Sequence, residues 1–331
     1  MLYFKKGFPS YFRFPVLVQL MFIISFIIII SGIAIYFIEP STFPTIFDGI
    51  WWALVTASTV GYGDLVPEST KGRMLTFVLI LLGGGFVTFY MAKLASTAVE
   101  SQSQFMQGTL AFKKEKHLII VGWNQRAREI IHHLNQLPTA LSVVLIDETV
   151  KKHPTTHDIH FIKGNASEDR ILELANAKEA AMILITADQH HDEKQADMKS
   201  ILTLLAVKGI NPNIYSIVEV LTSEQINNCR RAGANEIIET TNLASLVMMN
   251  SLFSHGISST LFDILNYLEG NKLHYVRVKE KEPYSLFQEA SAALVKKNII
   301  LLGIKRGEQL YINPSPSLKI KEGDQYIVIS N

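Results

Sequence analysis

"TASTVGYGDL", residues 56 to 65, lies between two apolar runs that carry no charge. Two glycines flank a tyrosine and an acid follows. A turn tolerates such glycines, but a turn rarely sits between stretches long enough to cross a bilayer. Phe14 to Ile38 contains no charged residue and exceeds the roughly 20 residues that a spanning helix requires. Met74 to Ala92, bracketed by Arg73 and Lys93, gives a second span expected to end near residue 98. A signal peptide is the rival for the first run. Its apolar region would be shorter and would close on a small-residue cleavage site, whereas this one ends in "YFIEPSTFP". Lys5, Lys6 and Arg13 precede the first span, and Glu39 to Asp48 holds no Lys or Arg. The positive-inside rule therefore predicts a cytoplasmic N-terminus, and two crossings return the rest of the chain to the cytoplasm.

Between the spans, residues 45–57 predict a short helix and 59–63 an extended loop. Non-helical backbone at membrane depth survives only where protein buries it or where it lines a watery path. A re-entrant helix followed by a loop lined with carbonyls meets that condition. Gly61 and Gly63 permit backbone angles that a Cβ would penalise, so successive carbonyls can face one way. Thr59 adds a hydroxyl.

"TVGYGD", Thr59 to Asp64, resembles the selectivity filter of potassium channels. The resemblance implies that four subunits present the carbonyls of Thr59, Val60, Gly61 and Tyr62 to a dehydrated K⁺, with Gly63 completing the loop. One loop cannot surround an ion, so a homotetramer embedded in membrane lipid is expected. Trp51 and Trp52 read either as interfacial aromatics or, by the resemblance, as supports packed behind the filter. Asp64 is expected at the outer mouth. "GGG" at 83–85 reads as close helix packing or, at Gly83, as the family's gating hinge. With no arginine-rich helix before the pore, gating is expected from the soluble part.

The full chain has 331 residues and a net charge of +1, so no global field marks a nucleic-acid binder. Its single cysteine, Cys229, excludes an internal disulfide. After a polar stretch at 99–116, expected to be a linker, apolar strands alternate with helical segments. "HLIIVGWN", "LSVVLID", "IHFIKG", "AAMILITA" and "NIYSIVEV" predict a parallel, doubly wound α/β sheet. The nucleotide fingerprint G-x-G-x-x-G is incomplete: Gly122 is present, but Asn124 and Ala127 stand at the second and third glycine positions, and Trp123 adds bulk beside the place of a pyrophosphate. The helix N-terminus could still receive a phosphate, and Asp147 stands where an acid meets a ribose. A purely structural Rossmann-like core is the other reading.

Together "HLIIVGWN", "VVLID", "GNASEDRILELANA" and "CRRAGANEII" resemble an RCK domain, the regulator of K⁺ conductance. The order of parts is similar to the two-helix RCK-gated potassium channels of bacteria and archaea. The resemblance implies an all-α pore at 1–98, a Rossmann-like subdomain at 117–239, crossover helices at 240–264 through which copies pair, and a small α+β subdomain at 265–331. It also implies a cell-membrane location and an octameric ring of RCK domains, for which Met106 is an internal start that could supply soluble copies.

Candidate effectors are NAD(H), ADP, ATP or a divalent cation. The calcium-binding positions of a relative fall on Thr186, Glu219 and Leu221, so only Glu219 keeps a carboxylate there. The acids Asp188, Asp192, Glu193 and Asp197 form either a second cation site or the solvated start of a helix. Arg306, Asn313 and Pro314 lie where similar domains bind cyclic di-AMP. The histidines at 153, 157, 160, 190 and 191 lack zinc-site spacing and read as surface loops. Two rival functions remain. A membrane-tethered NAD-dependent oxidoreductase lacks a catalytic constellation, so no enzyme is expected. A soluble subunit of a separate transporter would bring no pore.

Overall fold

The computed structural model describes residues 15–137, 141–154, 158–188, 191–266, 272–278 and 285–330. Lys5, Lys6, Arg13, Phe14, His157 and His190 lie outside the described residues. The chain divides into two units, residues 1–104 and 105–331.

In the first unit, α1 (Val16–Ile38) is long and apolar enough to cross a membrane. α2 (Ile46–Ala57) begins with a reciprocal cap: Asp48 N donates to Thr45 Oγ1 at 3.2 Å, and Thr45 N donates to Asp48 Oδ2 at 3.1 Å. α1 and α2 meet where neither can carry a side chain. A Cβ on Gly49 would lie 2.2 Å from the Gly32 carbonyl oxygen, and one on Gly32 would lie 2.5 Å from Ile50 Cα. The inner helix runs as α3 (Thr70–Leu79), a π turn at Ile80–Gly84, and α4 (Gly85–Gln107). The linker expected at 99–116 is thus helical through Gln107. "ESQSQFMQ" contains good helix formers and no breaker until Gly108, whose φ of +70° ends the helix.

The second unit opens with β1 (Leu118–Val121), α5 (Gln125–Gln136), β2 (Val143–Asp147), β3 (His160–Lys163) and α6 (Asp169–Leu174). It continues through β4 (Met182–Ile185), α7 (Glu193–Ile210), β5 (Tyr215–Val220), α8 (Ile226–Arg231) and β6 (Glu236–Glu239). The strands pair in parallel in the order β3-β2-β1-β4-β5-β6, the doubly wound topology expected. Successive strand residues serve opposite faces. Ile119, Val144 and Ile183 enter one core, whereas Leu118, Ile120, Val143 and Leu145 enter the other. Burial on both faces is why these strands read as unbroken apolar runs.

α9 (Thr240–Phe253) and α10 (Ile257–Leu265) follow, with Leu243, Leu246, Met248, Met249, Leu252 and Phe253 exposed. The C-terminal part holds β7 (Lys272–Arg277), α11 (Phe287–Val295), β8 (Ile300–Arg306), β9 (Gln309–Ile312) and β10 (Gln325–Ser330). Its antiparallel sheet has the order β7-β10-β8-β9 and is packed through Leu301, Ile304, Tyr326 and Val328 onto Phe287 and Ala290 of α11. The histidine expectation needs correction. His153 is buried and His160 half-buried, each bound to a backbone carbonyl.

Candidate ion pathway and regulatory pocket

The sign of φ alternates along 59–63. Thr59 (+64°), Gly61 (+59°) and Gly63 (+74°) are left-handed, while Val60 and Tyr62 are not. Alternating near-mirror conformations turn successive carbonyls to one side, which a strand cannot do. A Cβ on Gly61 or Gly63 would meet nothing within 4 Å, so backbone angle alone demands glycine within one subunit. The amides are drawn to the end of α2: Thr59 N donates to Thr56 O, and Val60 N and Gly61 N both donate to Val55 O. Among the described residues, none donates to the carbonyls of Thr59, Val60, Gly61 or Tyr62. Those oxygens lie beside the negative end of α2.

The two tryptophans part ways. Trp51 stacks on Tyr62 with ring centroids 6.0 Å apart and donates Nε1–H to Asp64 Oδ2 at 2.9 Å. Asp64, expected to face the outer mouth, is thereby tied back to α2. Trp52 is buried edge-on against Phe43 in the helix core. Glu39, to which the sequence reading gave no role, fastens the end of α1 to the start of α3. Its Oε1 accepts from the amides of Glu68 (2.8 Å) and Ser69 (3.2 Å), and its Oε2 from the Ser69 hydroxyl (3.1 Å). An acid placed immediately after an uncharged span was the available signal. Gly83 sits in the π turn, where a Cβ would lie 3.0 Å from Ala57 Cβ; Gly84 and Gly85 have open space.

In the second unit, Gly122, Trp123, Asn124, Asp147 and Asp188 line one cavity of about 200 Å³. The fold therefore assembles the predicted nucleotide residues, but two of them are already engaged. Asp147 takes four donors, three of them crowded on one oxygen: Thr149 N, Thr149 Oγ1 and Val150 N on Oδ1, and Trp123 N on Oδ2. Asn124 caps α5 through Ala127 N and reaches Thr186 Oγ1 and the Ala187 carbonyl. Lys199, absent from the sequence reading, enters the cavity from α7 and binds Glu148 and, at 2.8 Å, Asp188. Burial draws its pKa down, but these two carboxylates outweigh that and raise it.

The cation expectations at Glu219 and Asp188 meet an obstacle. Glu219 accepts from Ala187 N (2.8 Å) and Thr240 Oγ1 (2.9 Å) and pairs with Arg126 Nε at 2.9 Å. Asp188 pairs with Lys199 and His191. Asp192 caps α7, and buried Asp197 accepts from the amides of Leu221 and Thr222. Among the described residues, no three metal-ligating side chains gather. In the C-terminal sheet, Arg306 makes a two-pronged pair with Asp324, both bonds 2.8 Å, and donates to the Lys319 carbonyl. Asn313 takes positive φ (44°) and donates its amide to Leu302 O. Arg306 thus serves a fold contact where an anion ligand was expected.

An ion-channel family matches residues 23–100, and the TrkA-N domain matches residues 118–240. YugO of Bacillus subtilis, which bears a potassium-channel name, is 37% identical across 98% of this chain and 99% of its own. The calcium-gated potassium channel TvoK of Thermoplasma volcanium is 25% identical across 88% of this chain and 84% of its own. The solved GsuK channel superposes with a TM-score of 0.54 at 14% identity, covering 98% of this chain and 58% of the GsuK chain. The same channel bound to NAD gives a TM-score of 0.51 at 14% identity over 97% of this chain and 58% of its own. At such identity these two structures speak to the fold alone. The agreement with YugO over nearly the whole of both chains settles the relationship: the protein belongs to the family of potassium channels that join a two-span pore to a TrkA-N, or RCK, domain.

Proposed function

We infer that this protein passes K⁺ down its gradient through a pore shared by four copies, and that ligand binding to the RCK unit sets how often that pore is open. The single observation that carries the reading is the alternating backbone of residues 59–63, with free carbonyls on a loop between two apolar spans. The N-terminus and the RCK unit lie in the cytoplasm, and the pore lies in the cell membrane. The RCK units form a ring of eight, with four supplied by short copies that start at Met106. A purified wild-type preparation without a fragment corresponding to residues 106–331 would count against those copies.

The proposed effector is an adenine nucleotide held at the cavity beside Gly122, Trp123 and Asn124. The NAD-bound form of GsuK supports this for a protein of the same fold. Because Oδ1 of Asp147 is occupied by Thr149 and Val150, a ribose would bond to Oδ2, displace Thr149 or rely on Glu148. Single-channel recording while NAD, NADH, ADP and ATP are added to the RCK side tests the assignment. A change of open probability with one of them is expected, and it should be lost in Gly122→Asp. Indifference to all four would remove the nucleotide and leave the pore reading standing.

A further inference from the structure

Residues 105–112 leave the inner helix and are fastened along β3 and α6. His153 N donates to Met106 O, Lys163 N to Gly108 O, and Phe112 N to Leu174 O, each at 2.8 Å. Two histidines close over this strap. The Phe105 ring stacks on His153 with centroids 4.5 Å apart, and both Phe105 and Phe112 pack on His160, at 5.7 and 5.2 Å. His160 Nε2 lies 2.7 Å from the Leu110 carbonyl, and His153 Nε2 lies 2.8 Å from the Ile159 carbonyl. A carbonyl only accepts, so each Nε2 carries a hydrogen. His153 Nδ1 is buried without a hydrogen-bond partner among the described residues.

We propose that residues 105–112 are a proton-released strap: protonation of His160, whose ring is covered by Phe105 and Phe112, detaches it from β3 and α6 and slackens the covalent link to the pore. This regulation rests on the gated-channel reading above. Burial lowers the pKa of His160 against the pull of the Leu110 carbonyl, and the charge of His153 lowers it further. Burial likewise lowers His117, which packs on Phe112 and is also disfavoured by a charge on His160. Across the adjoining cleft His160 faces Lys114 and Asp158, and β3 adds Lys163. Asp158 is exposed and makes no ion pair with His160 among the described residues. With docked values lowered, the released strap binds more protons. Its hold is complete above the ordinary imidazole value of 6.5 and is lost as pH falls from there through the lowered values.

Hydrogen exchange of the full-length channel in lipid nanodiscs, from about pH 8 to about pH 5 with intrinsic rates corrected, reads the strap directly. Protection of peptides over 105–112 should fall about tenfold per pH unit for each proton taken up, while β1 stays protected. The double variant His153→Gln, His160→Gln keeps neutral donors for both carbonyls, so its strap protection and its channel activity should lose the larger part of their pH dependence, with His117 alone left to titrate. Protection of β1 reports whether that variant folds; if it does not, the wild-type profile decides alone. A flat wild-type profile overturns the proposal, as does an equal loss in a folded double variant. Release of the strap with unchanged gating also overturns it and leaves the reading of the pore untouched.

Discussion

Thr59 holds a φ of +64° that a β-branched residue adopts only under constraint. Its amide on Thr56 O and the next two on Val55 O hold that angle in place, so the end of α2 sets the backbone of residues 59–63. Gly61→Ala adds a Cβ at a left-handed angle, costing roughly 1–2 kcal/mol in each subunit. K⁺ flux from reconstituted protein should vanish while native electrophoresis still shows the assembled channel; wild-type flux would contradict the backbone argument. The tryptophans separate two roles that looked alike in sequence. Trp51→Phe removes the donor to Asp64 and should shorten conducting bursts severalfold without moving the thermal midpoint of the assembly. Trp52→Ala empties a buried ring site, costing about 3–5 kcal/mol, and should lower that midpoint. Adjacent residues on a helix face different ways, and only the coordinates show which ring reaches Tyr62.

At the scale of elements, the two spans, the short helix and the parallel strands were all legible, because each is long and strongly patterned. The end of the inner helix was not. Polar helix formers after Val99 look like a linker, and nothing local distinguishes a solvated helix from a loop until Gly108. The histidine strap was hidden for a related reason: "KKHPTTHDIH" is polar in sequence, yet His153 and His160 are covered by Phe105 and Phe112, far away along the chain. Gly83 carries two readings that mutation can divide. Gly83→Ala brings a Cβ to 3.0 Å from Ala57 Cβ and should alter open probability. If packing is the cause, adding Ala57→Gly restores wild-type gating; if bending is the cause, it does not. Gly84→Ala meets no neighbour within 4 Å and should change gating only through bending.

At the scale of the molecule, the sheet order and the TrkA-N match made the RCK unit recognisable, whereas its effector site was only half legible. Side-chain type suggested ligands at Asp147, Glu219 and Arg306, but all three are already engaged by partners within the fold. We propose that RCK units pair through the exposed apolar surface of α9. Charging it with Met248→Lys and Leu252→Lys should dissociate paired RCK units on size-exclusion chromatography with light scattering; an unchanged mass would place the pairing surface elsewhere. The pore remains the centre of the account, and carbonyls fixed in space replace the hydration shell of one ion better than that of another. The reversal potential of the purified channel under opposed K⁺ and Na⁺ gradients tests this most directly. It should follow the K⁺ gradient closely, and a potential near zero, showing equal passage of both ions, would contradict the account.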